Sequence, residues 1–317
     1  MAVYSHITKN ELVSLLKKYQ IGTLIKFEGI LEGIENTNYK LITSKQKYIL
    51  TIFEKRVEFK DLPFFIDLKN HLIKKKFICP QPIQSKDGKY INIFNEKPFV
   101  IVSFLDGKKI PKIKNEHCKQ VGFTLAELHK KSEDYIGQRS NNMNYKQWEN
   151  IFLKCKKKSV NQYNFILPII KDELIFLKNK WPKDLPKGII HGDMFHDNVF
   201  FKNNKLSGLI DFYFSCYDYF SYDIAITINA WCFDEKFNFD KNKFISLITG
   251  YENLRKLSNN EKEKLSILLR GAALRILLTR LHDHLFHSKD AYVKPKDPSE
   301  YIGILLFHQK INVLDFL

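Results

Sequence analysis

His191, Asp193, Asn198 and Asp211 are the residues of this chain whose types and spacing carry the most chemistry. They lie in residues 187–215, KGIIHGDMFHDNVFFKNNKLSGLIDFYFS, among side chains that otherwise read as buried strand. Ile189 and Ile190 stop at His191-Gly192-Asp193, Val199 to Phe201 resume extended character before Asn203-Asn204, and the run at 206–210 ends at Asp211. The pattern predicts two strands joined by a tight turn, with the 191–198 loop and Asp211 sharing one pocket. A buried carboxylate needs compensation, which a metal cation supplies. Asn198 and Asp211 offer hard oxygen ligands of the kind magnesium takes, with positions left for water and phosphate oxygens. Asp193 then has no forced metal role and is free to orient an attacking hydroxyl, with His191 bracing the loop, as phosphoryl transfer requires. Asp and Asn are also common turn formers, so any one of the four alone reads equally well as a cap or a solvated loop residue. Turn chemistry does not ask for strands on both sides that end in acids.

The bulk properties bound the rest. At 317 residues the chain is long enough for a substantial core, as one large or two small domains. The formal charge of +16 invites a nucleic-acid or anionic-membrane partner. Against that, only six of the 51 basic residues are Arg, and the lysines are spread from Lys9 to Lys310, the pattern of a solvated face. No nucleic-acid partner is expected, although the charge would attract nucleotide phosphates. The most apolar helical stretch, 265–281, is interrupted by Arg270, Arg275 and Arg280, which argues against a membrane span. The N-terminus has no secretion-signal pattern. Five widely separated cysteines favour free thiols in a reducing, cytoplasmic setting over a disulfide framework or a zinc site.

The 191–212 stretch resembles the catalytic and metal loops of the aminoglycoside phosphotransferase and choline kinase superfamily. More narrowly, G29-ILEG33-IENTNY39, Y48-ILTIFEKR56, DLPFF65, CPQP82 and LIDFYFSCYDYFSYDIAITINAWCF233 resemble homoserine kinases built on that fold, over about residues 3 to 310. The resemblance implies an α+β, protein-kinase-like bilobal fold: a small antiparallel-sheet nucleotide-binding lobe at 1–106 and a larger helical catalytic and substrate lobe at 107–317. It implies ATP and Mg2+, with transfer of the γ-phosphoryl to the side-chain hydroxyl of L-homoserine, giving O-phospho-L-homoserine for threonine biosynthesis. It also implies nucleotide contacts from Gly33, Asn36 and Asn38, and from backbone near Ser103 and Leu105 where the lobes join. Two other functions stay open: a kinase of the same fold acting on choline, ethanolamine, an aminoglycoside or a sugar, and a non-catalytic binding protein.

The elements that must hold these residues are legible in outline. Thr8 and Glu11 have capping-box spacing before an amphipathic helix, and Gly22 marks its break. The glycine-containing turn 29–38 lies between extended runs and reads equally as a plain hairpin or a phosphate-approaching loop. The superfamily usually offers a Lys or Arg on the next strand, but that position holds Thr51 here, with Lys47, Lys55 or Arg56 as substitutes and Asp67 as a candidate acidic partner. Residues 57–76 read as a helix in which Pro63 marks a start or a kink, followed by an extended Cys79-Pro80-Gln81-Pro82 and a strand at 99–105. Beyond come a helix at 115–131 ending near His129, a polar loop at 132–147, and helices at 148–158 and 161–180. The aromatic-rich 212–233 must turn from loop into helix, with Asp223 capping that helix or holding the catalytic loop. Tyr213, Tyr217, Asp218 and Trp231 are candidates for a substrate wall, or for core. Helices near 239–256, 259–286 and 298–309 complete the chain. A zwitterionic substrate needs a cation for its carboxylate, available from Arg270, Arg275 or Arg280, although Arg280 could pair with Asp283 instead.

Overall fold

The computed structural model describes residues 5–30, 36–54, 57–158, 163–286 and 295–316. Among them the chain forms two compact units: residues up to Asp106 with Ser207–Tyr213, and Gly107–Leu206 with 214–286 and 295–316.

In the first unit, helix α1 (Lys9–Leu16) opens on a capping box in which Thr8 and Glu11 satisfy each other's backbone N–H groups. Strands β1 (Leu24–Ile30), β2 (Asn36–Thr43), β3 (Lys47–Phe53), β4 (Asn92–Phe94) and β5 (Lys97–Ser103) form one antiparallel sheet, in the order β1-β2-β3-β5-β4. Side chains alternate across a strand. Leu50 and Ile52 therefore pack with Leu12, Leu15 and Leu16 of α1, while Phe53, Val100 and Val102 pack with Leu62, Phe65 and Ile66 of helix α2 (Leu62–Lys74). Pro63 falls in the first turn of α2, where a missing N–H costs nothing, so it starts the helix and does not kink it. Strand β2 begins at Asn36, which moves Asn36 and Asn38 out of the glycine turn and into the sheet.

The second unit is mostly helical, with α3 (Asn115–Lys131), α4 (Tyr145–Lys158), α5 (Ile166–Lys180), α6 (Phe220–Trp231), α7 (Lys241–Glu252), α8 (Asn259–Phe286) and α9 (Ser299–Lys310). Helix α6 is buried on every side. Helices α3 and α7 meet through glycines: a Cβ on Gly122 would lie 2.0 Å from the Leu247 carbonyl oxygen, and one on Gly250 would lie 2.0 Å from that of Lys119. Two short pairs carry residues 187–219. Strand β6 (Lys187–Ile190) pairs with β9 (Cys216–Tyr219), and β7 (Val199–Lys202) with β8 (Lys205–Leu209). Asn203 and Asn204 both adopt positive φ between β7 and β8, as a two-residue type I′ hairpin requires. Strand β9 adds an extended stretch within 212–233, where the sequence reads only as a loop turning into a helix. Residues 139–141, read from sequence as part of a structureless loop, lie along it through Tyr217 N–H to the Arg139 carbonyl and a bridge from Ser140. No helix among the described residues is long and apolar enough to cross a membrane. All five cysteines are buried free thiols.

Candidate active site

Strand β6 runs into His191, Gly192 and Asp193. Gly192 adopts φ +75°, and a Cβ there would come within 2.9 Å of the Phe214 carbonyl oxygen, so glycine is needed for both conformation and space. The chain then turns through Phe195 N–H to the Asp193 carbonyl and Asn198 N–H to the Phe195 carbonyl. This turn brings Asn198 back onto Asp193: its Nδ2 donates at 2.8 Å to the Asp193 carbonyl and at 2.8 Å to Asp193 Oδ2. Two of the residues singled out by spacing are therefore hydrogen-bonded, and the side-chain oxygen of Asn198 is left for another partner.

A buried backbone must have its polar groups satisfied, and the four carbonyls of residues 191–194 and the N–H groups of His191 and Gly192 are met by side chains from several elements. Asp223, in the first turn of α6, accepts His191 N–H at 2.7 Å and Gly192 N–H at 2.9 Å. Ser215 donates to the His191 carbonyl, Arg275 of α8 to the Gly192 carbonyl at 2.7 Å, and Trp231 Nε1 to the Met194 carbonyl at 2.8 Å. Behind Asp223, His129 Nε2 lies 3.2 Å from Oδ2, and its Nδ1 lies 2.8 Å from the Tyr251 hydroxyl. Burial raises the pKa of Asp223, but the hydrogen bond and charge of His129 and the N–H of Gly192 outweigh it and hold the carboxyl below its ordinary value. Burial lowers His129 despite Asp223. Nε2 of His129 thus faces the Asp223 carboxylate and Nδ1 faces the Tyr251 hydroxyl, so both ring nitrogens are engaged.

Asp211 belongs to the first unit. It adopts φ +60°, a left-handed conformation rare for a residue with a Cβ, though Asp tolerates it better than most. The buried Lys69 of α2 is close enough to Asp211 to interact electrostatically and lies over the Tyr213 ring, 5.5 Å from its centroid. Burial lowers Lys69 to about 8, against the opposing effects of Cys79 and Asp211. Burial pushes the Cys79 thiol up to about 12. Thr51 donates to Asn38 Oδ1 at 2.7 Å, so the strand position that usually carries a cation instead ties β3 to β2. Asp67 is exposed, and the buried charge on α2 is Lys69. Lys55, Arg56 and Gly33 lie outside the described residues.

Of the remaining nucleotide candidates, Asn36 is buried and Ser103 ends β5 with its hydroxyl accepting Gln81 N–H at 2.8 Å; Leu105, two residues on, is half-buried. Among the residues considered for a substrate wall, Trp231 is completely buried and holds the Met194 carbonyl, and Tyr213 packs edge-on to Phe53 and Phe65. Tyr217 is exposed. Asp218 sits on β9 with Oδ2 accepting Asn141 Nδ2 at 2.7 Å and Oδ1 accepting Tyr219 N–H at 2.7 Å, and burial raises its pKa. Sequence reasoning missed Lys69, one lysine among many, and Asn141, hidden in a polar stretch without periodicity.

The profile of the phosphotransferase enzyme family matches residues 26–257, well over half of the chain. The chain belongs to this family. Among curated phosphotransferase relatives, the homoserine kinase of Beijerinckia indica is 44% identical over 99% of this chain and 98% of its own. That of Rhizobium meliloti is 42% identical over 98% of this chain and 95% of its own. Among solved structures, amicoumacin kinase hAmiN in complex with AMP-PNP, Ca2+ and Ami superposes with a TM-score of 0.73 at 15% identity, covering 98% of this chain and 94% of that one. At that identity the likeness concerns the fold, which is the protein-kinase-like α+β arrangement expected from the sequence.

Proposed function

We propose that this phosphotransferase uses ATP to phosphorylate the side-chain hydroxyl of L-homoserine, forming O-phospho-L-homoserine for threonine biosynthesis in the cytoplasm. The observation that carries this reading is likeness to homoserine kinases over nearly the full length of both chains, at 42–44% identity. The geometry of the 191–198 loop supports the chemistry. Asp193 is the group that orients the substrate hydroxyl and takes its proton late in a loose transition state, which asks for little activation of the nucleophile. His191 and Asp223 keep the loop in shape from behind. Asn198 and Asp211 are the residues that would hold Mg2+; the Asn198 nitrogen is committed to Asp193, which leaves its oxygen, a hard donor suited to that ion. Bound magnesium supplies neutralisation of charge on the phosphate oxygens. Gly33, Asn36, Asn38, Ser103 and Leu105 are assigned to the nucleotide, with residues 1–106 as the nucleotide-binding lobe and 107–317 as the catalytic lobe. The test is a coupled assay of ADP release with Mg-ATP and a panel of L-homoserine, choline, ethanolamine, an aminoglycoside and a hexose. Turnover specific to homoserine is expected; specific turnover of another acceptor overturns the assignment.

A further inference from the structure

Helix α8 carries three arginines, and their surroundings separate them. Arg270 is bidentate to Glu173, with Nε to Oε1 at 2.7 Å and a terminal nitrogen to Oε2 at 2.6 Å. Arg280 is paired with Glu300 and also reaches the Asp297 carbonyl. Arg275 is only 3% exposed and forms no ion pair among the described residues. One of its terminal nitrogens donates to the Gly192 carbonyl, next to Asp193, and its buried Nε has no acceptor.

The residues around Arg275 are polar and equally incomplete. Tyr222 of α6 is fully buried, and its hydroxyl has no partner in good hydrogen-bond geometry among the described residues. The Arg275 guanidinium opposes the upward shift that burial gives this phenol, through its charge and through a side-chain approach short of full hydrogen-bond geometry. Asp218, on the neighbouring β9, feels the same guanidinium. An uncompensated guanidinium and an unsatisfied hydroxyl buried together are costly unless something accepts from both. A carboxylate does so, because its two oxygens match the guanidinium fork. An acidic group nearby suits an ammonium on the adjacent carbon.

We propose that Arg275 and Tyr222 bind the α-carboxylate of the acceptor substrate and that Asp218 faces its ammonium group, so that these three residues select a free amino acid. This rests on the homoserine reading above and names the residues that would enforce it. Arg270 and Arg280, already paired, hold the fold together.

The test compares wild type with Tyr222→Phe, Arg275→Lys and Arg275→Met, using L-homoserine and 3-aminopropan-1-ol, which lacks only the carboxylate. The amino alcohol is read as alternative substrate or as competitive inhibitor, and thermal melting checks folding. Tyr222→Phe removes only a hydroxyl and keeps the ring in place, so it should fold and melt close to wild type while the homoserine KM rises about 10-fold. Arg275→Met should raise the homoserine KM on the order of 100-fold, with Arg275→Lys between it and wild type. The apparent affinity for 3-aminopropan-1-ol should change less than about 3-fold in all three. An unchanged homoserine KM in Tyr222→Phe and Arg275→Lys overturns the proposal, as does an equal loss for both ligands, which would make Arg275 a support of the loop alone. Absence of homoserine turnover in wild type is a separate outcome, and it removes the functional reading itself.

Discussion

Replacing Lys69 with methionine should stabilise the protein at neutral pH. The side chain is buried against the Tyr213 ring and Cys79, and burial brings its pKa down from 10.5 to about 8. At about 1.36 kcal/mol per pKa unit, that depression corresponds to a cost of about 3 kcal/mol for keeping the ammonium charged in the fold. Methionine has similar length and flexibility and carries no charge, so Lys69→Met should remove most of this cost and raise Tm on the order of 5 °C. The sign of the pH dependence follows from the lowered value. Below about pH 8 the lysine is charged in both folded and unfolded chains and the full cost is present. Between about 8 and 10.5 the folded protein gives up its proton first, and the cost shrinks as pH rises. Urea titrations of the two proteins at about pH 7, 8.5 and 10 measure this, because the other titrating groups are common to both and largely cancel in the difference. The expected gap is about 3 kcal/mol in favour of Met at pH 7, narrowing towards pH 10. A variant no more stable than wild type at pH 7, or a gap that does not move with pH, would refute the reasoning. Nucleotide affinity measured on the same samples would report whether the cation beside Asp211 is kept for phosphate.

Asp193→Asn should abolish turnover while leaving Mg-ATP affinity within about 3-fold, measured by single-turnover kinetics and nucleotide titration. Asp211→Ala should weaken nucleotide binding in a metal-dependent way, so that the loss disappears when titrations are repeated with EDTA. Asp223→Asn gives up charge-assisted acceptance of two loop N–H groups and should lower kcat on the order of 100-fold. Because the Asp223 carboxyl is held below 3.8, wild type should also lose stability as pH falls through that value and below, and acid titration of the Asn variant should lack this component. Gly250→Ala would drive a Cβ to 2.0 Å from the Lys119 carbonyl oxygen and should cost on the order of 3 kcal/mol in urea unfolding, through forced separation of α3 and α7.

The succession of antiparallel strands followed by helices was legible because each element announces itself locally. Thr8 and Glu11 cap α1, Pro63 starts α2, and Asn203-Asn204 closes its hairpin. The adjacency of Asp193 and Asn198 was also readable, since a five-residue turn can bring one side chain back onto the other. What sequence hid were features decided by tertiary packing. Nothing in α2 distinguishes Lys69, which is buried, from Lys74 or Asp67, because the helical period alone does not say how wide a face is covered. Strand β9 is four residues long, and its pairing with β6 across an intervening hairpin leaves no local trace. The three arginines of α8 were equivalent on paper and became distinct only when Glu173, Glu300 and the Gly192 carbonyl took their places around them.

The way residues 191–194 are gripped bears on how this molecule fails. Their backbone groups are anchored to Ser215, to both ends of α6 and to the middle of α8, elements that form the interior of the larger unit. Such a loop has no private melting transition. Heat or denaturant that spares the helices spares this loop with them, and its shape is lost when the helical interior itself comes apart.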